Sequence, residues 1–189
     1  MGNENQNENA TQNKLCEIVK NYLDGKNATN FVFNYNQLDD CRFSSLVSGL
    51  EGCTFNELHL LITVQDTCVY SECFLPVSAS PEVFADVSEY FTRINHVIGH
   101  GFLILDYDNG IMKYDLRVDS TELLYDDEHL ELSMRYLLEL GPRIFDQIGA
   151  SLAAILFGGK NGRSIKEIFE EDLAVHEDAE NEDSEKVEE

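Results

Sequence analysis

The dipeptide Asn109-Gly110 lies between two segments of alternating apolar residues, and it is the strongest short signal for a β-hairpin. Both central residues of a type I′ turn need positive φ, which Asn tolerates and Gly adopts freely. If these two residues form the turn, strand partners follow by counting outward. The apolar partners on one face are then Tyr107 with Met112, Leu105 with Tyr114, and Leu103 with Leu116.

The opposite face of this hairpin has mixed polarity. Its partners are Asp106 with Lys113, Ile104 with Asp115, and Phe102 with Arg117. We therefore expect the leucine face to rest on helices and the other face to be more solvated. Calcium binding by Asp106 and Asp108 does not fit, because an EF-hand loop needs Gly at position six and Glu at position twelve. Counted from Asp106, Gly falls at five and position twelve is Arg117.

In the rest of the chain, apolar residues recur with the period of a helix in some segments and with the period of a strand in others. A helix is predicted from a cap at Thr11 or Asn13, followed by four strands with short links, a helix opened by Ser80-Pro81, the hairpin, and a long helical segment over 126–157. Strands with short links are antiparallel. The predicted fold class is α+β, an antiparallel sheet of about five to six strands with helices packed on it, in the order α-β-β-β-β-α-β-β-α(α).

Two prolines predict interruptions. Pro76 is expected to stop the fourth strand, because proline cannot donate to a β-ladder. Gly141-Pro142 is expected to break the long helical segment, because proline removes a helix hydrogen bond. A short final helix is predicted from Ser164, with Glu167 three residues later completing a capping box.

Composition and charge set the domain limits. Residues 1–12 are rich in Asn, Glu and Gln and are predicted to be disordered; residues 13–172 form a single domain; residues 173–189 are a disordered acidic tail. The net charge is −23, with 36 acidic and 13 basic residues. A polyanion repels phosphates, so nucleic acids and anionic membranes are disfavoured as partners, and a basic partner is favoured.

The cysteines and the N-terminal residues bear on the compartment. The chain has five cysteines, an odd number without a Cys-x-x-Cys pair, and Cys68 and Cys73 fall on opposite faces of one strand. We expect reduced, mostly buried thiols. The first residues have neither a basic segment nor an apolar segment of a signal peptide, so the expected location is the cytoplasm.

No motif of an enzyme is present. The sequence has neither a G-x-S-x-G elbow nor a glycine-rich phosphate loop after a strand, so we predict no catalytic residue, no cofactor and no metal. His96 and His100 have the spacing of two zinc ligands on a helix, but Gly99 falls where the helix should end and no third ligand is evident.

Several short motifs together resemble the YbjN family of bacterial domains. They are Leu75-Pro76, Arg93-Ile94-Asn95, Gly101-Phe102 through Asp106, Phe157-Gly158-Gly159, and Ser164-Ile165-Lys166-Glu167. The resemblance is clearest over residues 55–170. It implies the fold of type III secretion chaperones, which are small acidic cytoplasmic proteins, commonly homodimers, that bind partner polypeptides in extended form. It carries over no catalytic residue.

The sequence therefore favours a non-enzymatic domain that binds a polypeptide partner. The candidate binding residues are Phe31, Phe33 and Tyr35, expected on a surface strand, together with Arg93 and Asn95. Arg93 and Asn95 have the alternative role of fixing the loop after the helix through hydrogen bonds to backbone groups. Self-association into a homodimer is expected from the apolar content of the final helix.

Two other hypotheses remain open. One is a small-molecule- or metal-binding regulatory domain, which would need a pocket lined by histidines; the candidates are His59, His96, His100 and His129. The other is an acidic solubility-type protein without a specific ligand.

Overall fold

A computed structural model describes residues 4–24, 31–39, 41–50 and 54–173. The elements are α1 (Glu4–Asp24), β1 (Val32–Asp39), β2 (Arg42–Ser48), β3 (Leu58–Val64), β4 (Cys68–Ser78), a 3₁₀ turn (Pro81–Val83), α2 (Phe84–Val97), β5 (Phe102–Leu105), β6 (Ile111–Asp119), α3 (Ser120–Leu123), α4 (Asp127–Leu156) and α5 (residues 165–173). The six strands form one antiparallel sheet in the order β1-β2-β3-β4-β6-β5. The predicted α+β class and element order are confirmed.

The core lies on one side of this sheet. In β3, Leu58, Leu60, Ile62 and Val64 are buried, while the residues between them are exposed or partly buried, as the alternation predicted. The buried stripe of α2 (Val87, Tyr90, Phe91, Ile94) and most apolar residues of α4 join the same core. All described helices thus contribute to one side of the sheet, and we call the opposite side the outer face.

The hairpin keeps its predicted faces but not its predicted turn. Leu103 pairs with Tyr114 and Leu105 with Met112, a register two residues away from the predicted one. A shift of two residues leaves every side chain on its own face. Leu103, Tyr114 and Leu116 are therefore buried as expected, and Leu105 is partly buried against them.

The turn differs because Asp106 organises it. The carbonyl of Asp106 accepts from Gly110 N at 2.8 Å, and its carboxylate accepts from Asp108 N and from Asn109 Nδ2. Gly110 has positive φ (73°), whereas Asn109 does not, so the turn is not type I′. These Asp and Asn hydrogen bonds stabilise a longer loop than the two-residue turn that the dipeptide predicted.

Pro142 does not break the long helix. The helix α4 continues through it as 30 residues, with Asp126 as N-cap. Gly141 brings this part of α4 against the sheet, since a Cβ at this position would lie 2.5 Å from Cys73 Cβ and 3.1 Å from Tyr114 Cδ1. The buried Ser71 hydroxyl donates to the carbonyl of Leu137, one turn before the proline. This hydrogen bond ties α4 to β4, and packing on the sheet therefore holds the helix in place where propensity alone predicted an end.

Pro76 does not end β4, which extends to Ser78. The ladder with β6 is irregular between Phe74 and Ser78, where β4 has two more residues than its partner. Proline is tolerated at such an irregularity because its missing N–H is not needed there.

The N-terminal helix begins earlier than expected. It starts at Glu4 rather than near Thr11 or Asn13, within the segment for which disorder was predicted. Asn alternates there with Glu, Gln and Ala, which are better helix formers, and acidic residues are favourable in the first turn of a helix. Of the acidic tail predicted for residues 173–189, Leu173 belongs to α5, and residues 174–189 lie outside the described residues.

The final helix has the predicted capping box. Ser164 N donates to Glu167 Oε2 at 2.7 Å, and Glu167 N donates to Ser164 Oγ at 3.3 Å. The backbone N–H of Ser164, followed by its hydroxyl, which donates to Glu167 Oε2 at 2.8 Å, holds the pKa of the Glu167 carboxyl below its usual range. Among the helices of the described residues, none is long and apolar enough to cross a membrane.

Candidate functional site on the outer face of the sheet

Two rows of side chains cross the outer face at right angles to the strands. The first row is Asn34, Leu46, His59, Phe74, Lys113 and Ile104, and the second is Asn36, Ser44, Leu61, Glu72, Asp115 and Phe102. The rows follow from the register, because directly paired residues of neighbouring strands point to the same side. Apolar side chains are exposed in both rows; Leu46 is 38% and Phe102 is 63% exposed.

A groove of about 620 Å³ lies across β2, β3 and β4 on this face. It is lined by Asn36, Ser44, Ser45, Leu46, His59, Leu60, Leu61, Phe74, Leu75, Pro76, Val77, Ser78 and Ile111. Among the described residues, the lining includes no carboxylate and no lysine or arginine. The irregular part of β4 around Pro76 supplies one wall, so the proline that fails to end the strand shapes the groove.

An ionic cluster lies beside the groove. Lys113 Nζ is 2.6 Å from Glu72 Oε1 and 3.0 Å from Asp115 Oδ2, and it sits 5.9 Å from the centre of the Phe74 ring. Burial raises the pKa of the Asp115 carboxyl, since Lys113 compensates only part of the lost hydration. Burial alone would lower the pKa of Lys113, but its hydrogen bonds to Glu72 and Asp115 raise it. With two carboxylates and one ammonium, the cluster is net acidic.

The predicted aromatic residues of β1 do not lie on the outer face. Phe31, just before the strand, is buried at 9% exposure, and Phe33 and Tyr35 pack against the core from the helix-covered side. Periodicity correctly predicted that these aromatics share one face of a strand. It does not determine which face the helices cover, and here the aromatic face is turned toward the helices. The exposed residues of β1 are Val32, Asn34, Asn36, Gln37, Leu38 and Asp39 instead.

Arg93 and Asn95 have different roles, although they lie close together on α2. Arg93 pairs with Glu89 through Nη2 at 2.7 Å, on the wall of a groove between α2 and α5. Asn95 fixes the following strand, as its alternative role required. Its Nδ2 donates to Leu103 O at 2.9 Å, and its Oδ1 accepts from Leu103 N at 2.8 Å. Asn95 thereby covers the free edge of β5.

The histidines lie in different surroundings. His59 lines the outer-face groove, the His100 ring lies 5.1 Å from the Tyr136 ring, and His129 Nδ1 contacts Asp126 Oδ1 at 2.8 Å. His96 lines the groove between α2 and α5. Within residues 4–24, 31–39, 41–50 and 54–173, no group of three or more His, Cys, Asp or Glu residues could hold a metal ion.

Sequence reasoning missed the residues that form the groove. The sequence predicts no role for Leu46, Leu61 or Phe74, and it suggests His59 only as a residue lining the pocket of a small-molecule- or metal-binding domain. The available signal was the alternation itself, which places Leu46, His59, Leu61 and Phe74 opposite the buried positions once the core side is known.

Comparison with known proteins adds no assignment, because no family model, no curated protein and no solved structure matches the chain. The resemblance to the YbjN family remains a prediction.

Proposed function

We propose that the protein is a non-enzymatic, YbjN-like interaction domain that binds an extended polypeptide segment in the outer-face groove. The proposal rests on a sheet whose described helices all pack on one side, while the other side holds an apolar groove of about 620 Å³. Such a surface offers contacts to alternate side chains of an extended segment. We propose the cytoplasm as its location.

The lining of the groove suits a peptide better than a charged metabolite. Leu46, Leu61 and Phe74 supply apolar contact, and Asn36 and Ser44 supply neutral hydrogen-bonding groups beside them. Backbone amides and apolar side chains of a polypeptide need this combination of groups. The lining has no lysine or arginine that would pair with a phosphate or a carboxylate.

The charge distribution favours a basic partner. The whole chain carries −23, and the cluster of Glu72, Lys113 and Asp115 places a net negative charge beside the groove. Long-range attraction then accelerates association with a basic segment, and the groove itself supplies shape recognition.

Fluorescence anisotropy with labelled 12-residue peptides tests this proposal. The peptides share alternating apolar positions and differ in the remaining positions, which are basic, acidic or neutral. We expect the basic series to bind most tightly at low salt, with the difference shrinking as salt screens the field. Leu46→Gln should weaken binding by about fivefold, which corresponds to about 1 kcal/mol of lost apolar contact.

The matched control is Leu38→Gln, the same change on an exposed residue of β1 (55% exposed) that does not line the groove. It should leave peptide binding unchanged. Equal losses in the two variants, or binding that is insensitive to both, would contradict the assignment of the groove. Absence of binding by every peptide series would contradict the function itself.

We also propose that two copies associate. Most apolar residues of α4 are already buried in the core, but Leu132, Tyr136 and Leu140 form a partly exposed stripe between Arg135 and Arg143. A stripe at this spacing can face its own copy on another chain. Light scattering should give twice the mass of the chain, and Leu132→Arg should return it to a monomer. A strict monomer at high concentration would exclude this association.

The small-molecule alternative rests on the same groove, because its volume falls within the usual range of ligand pockets. Binding of a neutral, partly apolar compound that competes with peptide and is lost in Leu46→Gln would favour it. The metal-binding alternative lacks a cluster of metal ligands among the residues that the structure describes.

A further inference from the structure

The thiols of Cys16 and Cys41 lie together although 25 residues separate them in the chain. Their Sγ atoms are 2.8 Å apart. Cys16 lies on α1, and Cys41 lies in the turn that leads from β1 into β2. We propose that this pair is a reversible disulfide site, which in its oxidised form ties α1 covalently to the β1–β2 turn.

Both partners are held in place by the backbone of one residue in β3. Gln12 Nε2 on α1 donates to Val64 O at 3.1 Å, and Val64 N donates to Cys41 O at 2.8 Å. Leu15 and Val19 anchor the same stretch of α1 in the core with no exposed surface. The proximity of the two thiols therefore follows from fixed elements on both sides of the contact.

The remaining displacement is small. A disulfide bond is about 2.05 Å long, so the two sulfur atoms need to approach each other by less than about 1 Å. Cys68 and Cys73, the other described cysteines, are fully buried on opposite faces of β4, so they cannot be cross-linked to each other. Cys53 lies outside the described residues.

Exposure gives the two thiols different roles. Cys41 is partly exposed, whereas Cys16 is buried at 8% exposure. An oxidant from solution therefore meets Cys41 first, and Cys16 acts as the resolving thiol. This order needs no opening of the core, because Cys16 already contacts the sulfur that it must attack.

The exchange balances with a low-molecular-weight disulfide such as glutathione disulfide as the oxidant. The Cys41 thiolate attacks one sulfur of the oxidant, forms a mixed disulfide and releases one glutathione thiolate. The Cys16 thiolate then attacks Cys41 Sγ and releases the second glutathione thiolate. The two protein thiols lose two electrons and two protons, which leave with the two glutathione molecules as thiols.

The direct test is peptide mapping of the full chain under non-reducing conditions, after incubation with reduced and oxidised glutathione at defined ratios. We expect a cross-linked pair of peptides containing Cys16 and Cys41, two fewer labelled thiols out of five, and full reversal by dithiothreitol. The proposal would be overturned if Cys16 and Cys41 stayed reduced while a disulfide formed at Cys53 or with a cysteine of a second chain.

Thermal unfolding provides a second readout. Closing a loop of this length should raise Tm by about 5–15 °C in the oxidised protein. The rise should disappear in Cys41→Ser, whose residue lies in a partly exposed turn and can be replaced without opening the core. It should persist in Cys53→Ser. An equal rise in Tm on oxidation in wild-type protein and in Cys41→Ser would overturn the proposal. The peptide mapping is done on the wild-type protein and does not depend on any variant.

Discussion

Gly141 in α4 lies so close to Cys73 in β4 that a Cβ on the glycine would stand 2.5 Å from the Cβ of the cysteine. Gly141→Ala must therefore move the helix or the strand, which costs about 1–3 kcal/mol in a packed core. A separation of 2.5 Å between two Cβ atoms places the cost in the upper part of this range, above the gain of about 1 kcal/mol that alanine brings to a helix interior. We expect a lower urea midpoint for Gly141→Ala. Gly99→Ala is the control, since an added Cβ there meets nothing within 4 Å, and equal midpoints for the two variants would contradict this contact.

Gly110 is the residue of the hairpin loop that tolerates no side chain. It has φ of 73°, and an added Cβ would lie 2.2 Å from the carbonyl oxygen of Ala79. Gly110→Ala should therefore reduce the free energy of unfolding by at least about 2 kcal/mol, from backbone strain together with the clash. Asn109→Ala keeps the backbone geometry and loses only side-chain hydrogen bonds, so it should cost less. A larger loss for Asn109→Ala would point to a type I′ turn after all.

Asn95 holds both backbone polar groups of Leu103, and Asn95→Ala leaves them without this partner. We expect a loss of about 1–3 kcal/mol in the free energy of unfolding. Hydrogen exchange should also become faster at the Leu103 amide. Asn34→Ala, at an exposed position of β1, should change neither quantity. An unchanged hydrogen-exchange rate at the Leu103 amide in Asn95→Ala would exclude this role of Asn95.

The N-cap of α4 predicts a specific dependence on pH. The backbone N–H of His129 donates to the Asp126 carboxylate at 2.8 Å, and this bond, followed by the contact with the His129 ring, holds the pKa of that carboxyl below its usual value of 3.8. The unfolded chain binds the proton more readily, so the stabilisation is present above about pH 4 and is lost as pH falls through the lower folded value.

Asp126→Asn keeps a capping oxygen but does not titrate in this range. Its Tm should lie below that of wild-type protein at neutral pH by a few degrees, and the difference should shrink below about pH 4. Asp127→Asn, next to the cap, is the control for the removal of one negative charge. A difference between wild-type protein and Asp126→Asn that stays constant down to about pH 2 would exclude this linkage.

The parts of the fold that sequence predicted were those set by local alternation. The buried positions of β3, the apolar stripe of α2 and the faces of the hairpin all follow from side-chain periods of 2 and 3.6 residues. The errors at Pro76 and Pro142 have a common cause. In each case a local rule predicted an end, but packing of β4 and α4 on their neighbours continued the element past the proline, in β4 through an irregularity of the ladder.

The candidate site was harder to predict because it depends on which side of the sheet the helices cover. Phe33 and Leu46 look equally suited to a surface strand in the sequence, yet Phe33 faces the core side and Leu46 faces solvent. Contacts between segments that are distant in the chain decide which face of each strand the helices cover. The sequence of a single strand does not contain this information. The meeting of Cys16 and Cys41 has the same origin, since it requires α1 to return onto the end of β3.

The outer face of the sheet, on which none of the described helices packs, also makes the protein suited to serve as an engineering scaffold. Each of its central strands holds the core with one set of side chains and presents the alternate set outward. Positions such as Leu46, His59 and Leu61 can therefore be randomised together while Val47, Leu58 and Leu60 stay unchanged. A library built in this way would vary the surface chemistry of the sheet on a constant interior, and selection would act on recognition rather than on the ability to fold.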